Sequence, residues 1–304
     1  MPILCPTSED CDYLQDQVVI GLRDLHGVDA IDVPRKDILY RNSATPKKAL
    51  YGHGFTMWCT LEDPEIDRTN MIERAVDGEF DTIVFPSIWR TTEAFEQLRD
   101  HGVLSRPEVK VVFVDGEDHP RLYRDAIGLG PYHKRELRRR LTVPRGVQGI
   151  GFAIPKSKLR TEPLEKTRTF ATHAQCIEAY KLPEVRAECR ESYAFDEESD
   201  YYDDIATSQY AFTMKKCGWE CMRHYEIAAN HTVPCFHRLD AKPRNCAPHG
   251  LVDMKNVVAF RTARELQTKL ARIRDDGLYP TLQANAFAWA CEHTCDRMAR
   301  RLLD

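Results

Sequence analysis

The sequence predicts an α/β protein made of two domains. Short apolar runs with strand-like composition alternate along the chain with segments of helical periodicity, as in parallel sheets covered by helices. Between Leu141 and Lys166 the composition shifts towards proline, glycine and lysine, which indicates a boundary between two such arrays. With 304 residues, the chain is long enough to form both.

The first half contains four strand-like runs and three helical segments. The strands are predicted at 2–6, 28–33, 81–86 and 109–114, and the helices at 12–25, 66–76 and 91–101. In the first helix, Leu14, Val18 and Leu22 recur on one face, and Gly27 ends the segment. Because strands and helices alternate, we predict a parallel sheet in a Rossmann-like first domain at 1–145.

Two segments of this domain carry ionisable side chains where ligands commonly bind. The run Asp-Gly-Glu-Asp-His, from Asp115 to His119, follows a predicted strand at its carboxyl end. Asp115, Asp118 or His119 could act as a general base, and the carboxylates could bind hydroxyl groups or a hard cation. His53, between two glycines, is a further candidate base. The alternatives are a solvated acidic turn and a turn histidine without a catalytic role.

The second half continues the alternation of strands and helices. Strands are predicted at 167–172, 210–214, 232–236 and 256–260, and helices at 183–193, 219–230 and 262–275. A final helix at 282–303 has an apolar stripe formed by Cys291, Cys295, Met298 and Leu302. We therefore predict a second Rossmann-like domain at 146–280 and a separate C-terminal helix at 281–304.

The central segment of the second domain, residues 201–236, has the pattern helix, strand, glycine turn, helix, strand. Gly218 lies in the turn, and Lys215 and Lys216 follow the strand at its carboxyl end. The positive end of a helix dipole beside two lysines favours an anionic ligand. An ordinary amphipathic helix with a surface pair between Arg223 and Glu226 is the alternative.

Two segments resemble glycosyltransferases. Residues 218–234, Gly-Trp-Glu-Cys-Met-Arg-His-Tyr-Glu-Ile-Ala-Ala-Asn-His-Thr-Val-Pro, resemble the donor-site segment of GT-B enzymes, especially exostosin-like ones, in which an Arg-x-x-Glu-Ala helix precedes a Gly-x-x-Pro strand. Asp-Gly-Glu-Asp at 115–118, followed by Tyr-His-Lys-Arg-Glu-Leu at 132–137, is similar to a segment of predicted bacterial and phage glycosyltransferases. Together the likeness extends over about half of the chain.

The resemblance implies a GT-B-like arrangement, in which two Rossmann-like domains face a central cleft and the C-terminal helix packs back on the first domain. It places Glu226 on the donor ribose and Gly218, Lys215 and Arg223 near the diphosphate. The other expected donor contacts are Lys216, Trp219, Glu220 and His173. Many retaining members carry a second glutamate eight positions before the first, where this chain has Gly218 and the nearest carboxylate is Glu220.

The implied function is transfer of a sugar from a nucleotide-sugar, with a UDP-sugar as the expected donor, to an acceptor hydroxyl in the first domain. No metal or other cofactor is expected, because a helix N-terminus and basic residues would stabilise the leaving diphosphate. One alternative is a metal-dependent GT-A-like transferase or phosphohydrolase that uses the cluster from Asp115 to Asp118. Another is a non-catalytic module that binds a nucleotide or a glycan. The acceptor stays open among glycan, small molecule, protein and modified DNA base.

Composition restricts the partners and the compartment. The formal net charge of −4 gives no overall attraction to nucleic acid or to an anionic membrane, and no stretch has the length of a membrane span. The basic run from Lys134 to Arg140 lacks interleaved aromatic residues, which favours a solvated helix end over a nucleic-acid contact. Eleven cysteines without a Cys-x-x-Cys or zinc-like spacing predict reduced thiols and a cytoplasmic protein.

Overall fold

The computed structural model describes residues 2–138, 143–192 and 194–304, and the chain forms two compact units. The first unit contains the chain up to Pro155, together with Pro243–Ala247 and Cys295–Asp304. The second contains Lys156–Lys242 and Pro248–Thr294. Each unit has a parallel sheet with helices, which confirms the predicted α/β fold class.

Within the described ranges, the sheet of the first unit has the strand order β2-β1-β3-β4-β5-β6, and all neighbours are parallel. The strands are β1 (Ile3–Pro6), β2 (Ala30–Val33), β3 (Thr82–Phe85), β4 (Lys110–Asp115), β5 (Tyr132–Lys134) and β6 (Val147–Gly149). The first three helices are α1 (Tyr13–His26), α2 (Met71–Val76) and α3 (Thr92–Asp100). Because β6 belongs to this sheet, the first unit extends beyond the predicted boundary at residue 145.

The described part of the basic run, residues 134–138, does not form the expected helix end. Its first residue, Lys134, is the last residue of β5 and is fully buried, because its ammonium group pairs with Asp115 of β4 at 2.6 Å. Arg135 and Glu136 are also buried. Residues 139–142 lie outside the part of the chain that the structure describes.

The second unit, as far as it is described, has a sheet with the strand order β10-β9-β8-β7, and its neighbours are again parallel. The strands are β7 (Arg168–Phe170), β8 (Ser208–Met214), β9 (Val233–His237) and β10 (Val258–Phe260). The helices are α4 (Pro183–Glu188), α5 (Glu198–Ala206), α6 (Met222–Ala229), α7 (Ala263–Asp275) and α8 (Tyr279–Cys291). The predicted order of elements in residues 201–236 is therefore present as α5, β8, α6 and β9.

The predicted final helix is two helices. The first is α8, in the second unit, and the second is α9 (Cys295–Leu303), in the first unit. The break occurs where the Cys295 amide donates to the carbonyl of Ile154 at 3.0 Å. From there α9 packs against α1, where a Cβ atom on Gly21 would lie 2.1 Å from the carbonyl oxygen of Cys295. Only a glycine permits this close approach of the two backbones.

No helix among the described residues combines the length and the apolar character that crossing a membrane requires.

Candidate functional site

The loop between β8 and α6 places a helix N-terminus at the carboxyl end of a central strand. β8 ends at Met214, and α6 begins at Met222 with Cys221 as its N-cap. Gly218 therefore lies in the loop, at the predicted glycine turn, where its carbonyl accepts from the Lys216 amide at 3.0 Å. This end of the helix carries the positive end of its dipole and is suited to an anion.

A buried histidine holds this loop in place. His224 lies in α6, with its Nδ1 atom 2.6 Å from the hydroxyl of Thr213 in β8 and its Nε2 atom 3.0 Å from the carbonyl of Trp219 in the loop. Burial lowers the pKa of His224 to about 4, so the ring is neutral at neutral pH. Since the carbonyl can only accept, Nε2 carries the proton and Nδ1 accepts from the threonine hydroxyl. The ring thereby connects strand, loop and helix.

Basic side chains gather around this helix N-terminus. Lys216 and Arg223 line a shallow depression at the carboxyl end of β8, whose other lining residues are Gln175, Cys176, Phe212, Thr213 and Met214. The Lys216 ammonium group bonds to the amide oxygen of Gln175, and the Lys215 ammonium group donates to the carbonyls of Lys216 and Cys217, both at 3.2 Å. Partial burial, with the nearby charge of Arg223, lowers the pKa of Lys216. Cations at a helix N-terminus form an environment for a phosphate group.

Arg223 and Glu226 share a contact with Tyr201 of α5. The tyrosine hydroxyl donates to Oε2 of Glu226 at 2.6 Å, and the guanidinium carbon of Arg223 lies 5.4 Å from the centre of the ring. Arg223 is 9% exposed and Glu226 7%, so the two side chains are not the exposed surface pair that was the alternative interpretation. Tyr201 was not among the predicted site residues, although it begins the segment that the sequence singled out.

The remaining candidates of the second unit lie in or beside the same segment. His173 is buried, its carbonyl accepts from Arg223 at 3.2 Å, and its Nδ1 atom lies 3.1 Å from the carbonyl of Ser192. Burial and the charge of Arg223 lower the pKa of His173 to about 4, so it is neutral at neutral pH. Trp219 and Glu220 are buried in the loop, and Glu220 accepts from the hydroxyl of Tyr225 at 2.8 Å. All eight predicted donor residues thus belong to the β8–α6 segment or, for His173, contact it.

Asp115, in the first unit, is enclosed by hydrogen-bond donors. Its fully buried carboxylate accepts from the Trp89 indole at 2.9 Å, the Tyr132 hydroxyl at 2.5 Å, the Lys134 ammonium group at 2.6 Å and the Glu117 amide at 3.2 Å. A fully buried carboxylate whose oxygens already accept from four donors is not positioned to take a proton from a ligand. We therefore correct the predicted role of Asp115 from a candidate base to a structural link between β4 and β5.

The other acidic side chains of this cluster pair with separate cations. Asp118 is exposed and bonds to Arg135, while Glu117 pairs with Arg90 at 3.1 Å. Among the described residues, no three histidine, cysteine or acidic side chains converge as metal ligands would. The chelating arrangement that the metal-dependent alternative requires is thus absent from the described part of the cluster, because each carboxylate faces its own cation.

The two candidate histidines of the first unit lie in different loops. The ring of His119 packs edge-on against Trp89, with the ring centres 5.1 Å apart, and it is therefore next to the Asp115 network. His53 lies in a short 3-10 turn at Tyr51–Gly54, with its ring 5.7 Å from that of Phe55. Of the first-unit candidates, Asp115, Asp118 and His119 lie at or just after the end of β4, whereas His53 lies in the turn Tyr51–Gly54.

No protein-family profile matches the chain, and no curated protein matches it. Solved structures of glycosyltransferases do match. HepE (Alr3699) of Anabaena, in complex with UDP-glucose, gives a TM-score of 0.59 at 9% identity and covers 100% of this chain and 98% of its own. A glycosyltransferase from Rickettsia africae gives 0.58 at 11% identity, with coverages of 99% and 96%.

An α-glucosyltransferase in complex with UDP and a 13-mer DNA also matches, with a TM-score of 0.54 at 12% identity and coverages of 97% and 95%. At such low identity these matches show the fold. The chain has the fold of these glycosyltransferases over essentially its whole length, which confirms the predicted GT-B-like fold.

Proposed function

We propose that this protein is a glycosyltransferase that moves a sugar from a nucleotide-sugar, with a UDP-sugar as the expected donor, to an acceptor hydroxyl. The observation that carries the proposal is the grouping of Lys216, Arg223 and the buried Glu226 at the start of α6. That grouping occurs on a fold shared with structures that contain UDP or UDP-glucose.

The leaving group of the proposed reaction is a nucleoside diphosphate. Negative charge grows on its phosphates as the bond to the sugar breaks, and the rate depends on groups that stabilise this charge. The N-terminus of α6, Lys215, Lys216 and Arg223 supply positive charge from fixed positions, and Gly218 lets the loop backbone approach the phosphates. These residues of the chain would supply the charge stabilisation, so the proposal requires no metal cofactor.

Glu226 is proposed to accept hydrogen bonds from the ribose hydroxyls of the donor. Its carboxylate is held by the Tyr201 hydroxyl, which fixes the side chain before a ligand arrives. A pre-positioned acceptor loses less entropy on binding than a mobile one. Trp219, Glu220 and His173 support the site by shaping the loop and the position of Arg223, rather than by offering exposed side chains.

The first unit is proposed to bind the acceptor. Asp118, His119 and His53 stay candidates for the base that removes the acceptor proton, because each is at least partly exposed. These side chains do not distinguish between the four acceptor classes, which are glycan, small molecule, protein and modified DNA base. An exostosin-like affiliation and a cytoplasmic location are part of the proposal, and the location is supported by the eleven cysteines, none of which forms a disulfide within the described part of the chain.

A titration of UDP and UDP-glucose against Glu226→Gln tests the donor site. An amide offers one acceptor atom where the carboxylate offers two, and bonds to a charged group contribute about 1.5 to 3 kcal/mol, so the dissociation constants should rise about tenfold to a hundredfold. Glu265→Gln, on α7 of the same unit, is the matched control and should bind as the parent does. Unchanged affinity in Glu226→Gln, or a parent protein that binds no nucleotide-sugar, would refute the proposed site.

A binding module without turnover is the second candidate function. It is favoured by Gly218, which occupies the position where many retaining members of the resembled family have a glutamate. The measurement that separates the two functions is release of UDP from UDP-glucose, with and without added saccharides. Binding of UDP-glucose at micromolar concentration without any release would identify the module.

A further inference from the structure

Tyr51 is an exposed aromatic side chain in the first unit. It is 73% exposed, although large apolar side chains are usually buried in a folded domain. It begins the short turn Tyr51–Gly54, which also contains the candidate histidine His53. An exposed tyrosine offers both an apolar ring and a hydroxyl group to a ligand at the surface.

The backbone that carries this ring is tightly constrained. Gly52 and His53 both have left-handed conformations, with φ values of 61° and 57°. Gly54 has a φ value of 70°, and a Cβ atom there would lie 2.6 Å from the carbonyl oxygen of Lys47. The turn is thus packed against the preceding segment, and the position of Tyr51 is fixed by that packing.

Two further aromatic rings, those of Tyr13 and Trp58, connect Tyr51 to the core of the first unit. The ring of Tyr51 meets Tyr13 edge-on, with the centres 6.0 Å apart, and Tyr13 is stacked on the buried Trp58 at 5.1 Å. The indole of Trp58 donates in turn to the buried carboxylate of Asp16 in α1 at 2.7 Å. Tyr51 is the exposed end of this series, which is anchored in the core of the first unit.

These three rings are located at the functional edge of the sheet. Tyr13 is the first residue of α1, which follows β1, so the rings lie at the carboxyl ends of the parallel strands. Ligands of open α/β sheets bind at this edge. His53, two residues after Tyr51, adds a polar group that can bind a hydroxyl.

We propose that Tyr51 is a stacking platform for a sugar ring of a saccharide acceptor, an inference that rests on the proposed transferase function. One face of a pyranose presents C–H groups, which pack on the face of an aromatic ring, while its hydroxyls point outwards towards polar partners. A nucleobase also stacks on tyrosine, but a nucleic acid would bring a phosphate backbone to a chain with a net charge of −4. The platform therefore favours a neutral saccharide.

The test uses the full chain without donor, so that it does not depend on the donor site. Binding of maltose, cellobiose, lactose and chitobiose is measured by NMR titration for the parent, Tyr51→Ala and Tyr51→Phe, with a short oligothymidylate as the nucleic-acid probe. Val28→Ala, which removes another exposed apolar side chain of the same unit, is the matched control. UDP binding is measured in parallel on the same four proteins.

We expect at least one saccharide to bind the parent, and Tyr51→Ala to raise its dissociation constant about tenfold. Tyr51→Phe and Val28→Ala should bind it as the parent does, and all four proteins should bind UDP equally. Equal saccharide affinity in Tyr51→Ala, binding of none of the four saccharides, or Tyr51-dependent binding of oligothymidylate alone would each overturn the platform. If the transferase proposal is wrong, the parent protein itself should not bind UDP, and this result is separate from the saccharide measurements.

Discussion

The hydroxyl of Tyr201 should control both the stability of the second unit and its affinity for UDP. Tyr201→Phe removes only the oxygen that donates to Glu226 at 2.6 Å and keeps the ring beside the Arg223 guanidinium. The substitution therefore isolates one hydrogen bond to a buried carboxylate from the other contacts of the ring.

Hydrogen bonds to a charged group are worth about 1.5 to 3 kcal/mol, so the free energy of unfolding should fall by about this amount. In a unit of this size, each kcal/mol lowers the melting temperature by about 2 to 4 °C. Without this bond the Glu226 carboxylate would be held less firmly in the position that a ligand needs, which should weaken UDP binding about fivefold to tenfold.

Thermal unfolding and calorimetric titration with UDP measure the two effects. The matched control is Tyr180→Phe, in the same unit, because the Tyr180 hydroxyl is buried and has no hydrogen-bond partner among the residues that the structure describes. Combining Tyr201→Phe with Glu226→Gln should cost less than the sum of the single changes, since both act on one bond. If Tyr201→Phe matches Tyr180→Phe in melting temperature and in UDP affinity, the supporting role of Tyr201 is refuted.

Two further predictions concern buried ionisable groups. Asp115→Asn should destabilise the protein by about 3 to 5 kcal/mol, because it leaves the buried Lys134 charge without its partner. Asp118→Asn breaks a pair between the buried Arg135 and a carboxylate that is half exposed, and because solvent screens that carboxylate the loss should be clearly smaller. Equal melting temperatures for the two variants would contradict the structural role of Asp115. His224 has a folded-state pKa of about 4, below its ordinary value of 6.5, so its contribution to stability is fully present above about pH 6.5 and is lost as the pH falls towards 4. In urea unfolding, the free energy of unfolding of the parent should exceed that of His224→Gln by a margin that falls by about 2 kcal/mol between about pH 7 and about pH 5. A margin that does not change with pH would contradict a buried neutral ring.

Elements with a strong local pattern could be predicted from the sequence. β1 to β4 are apolar runs, and α1 has both its N-cap, Asp12, and its terminating Gly27 in sequence. β5 and β6 have three residues each, and β5 ends in a lysine, so neither has an apolar pattern of its own. The missed β6 explains why the predicted domain boundary was placed too early.

In the candidate site, too, the residues with a local sequence pattern could be predicted, and those that depend on distant partners could not. The residues that follow β8 were found because a strand, a glycine turn, two lysines and a helix are consecutive in sequence. Tyr201 and Thr213 acquire their roles from partners 25 and 11 residues away, and the pairing of Lys134 with Asp115 spans 19 residues. A one-dimensional pattern contains no information on such pairings, and so Lys134 was read as a solvated residue.

The close approach of α9 to Gly21 has a consequence for the order of events during synthesis. The chain leaves the first unit after Pro155 and contributes α9 to it only from Cys295 onwards, after every described strand of the second unit has been translated. Domains of a growing chain commonly fold in order from the N-terminus. Here the nascent first unit cannot be completed in that order. The surface of α1 around Gly21 therefore stays without its α9 contact during synthesis until α9 itself has been translated.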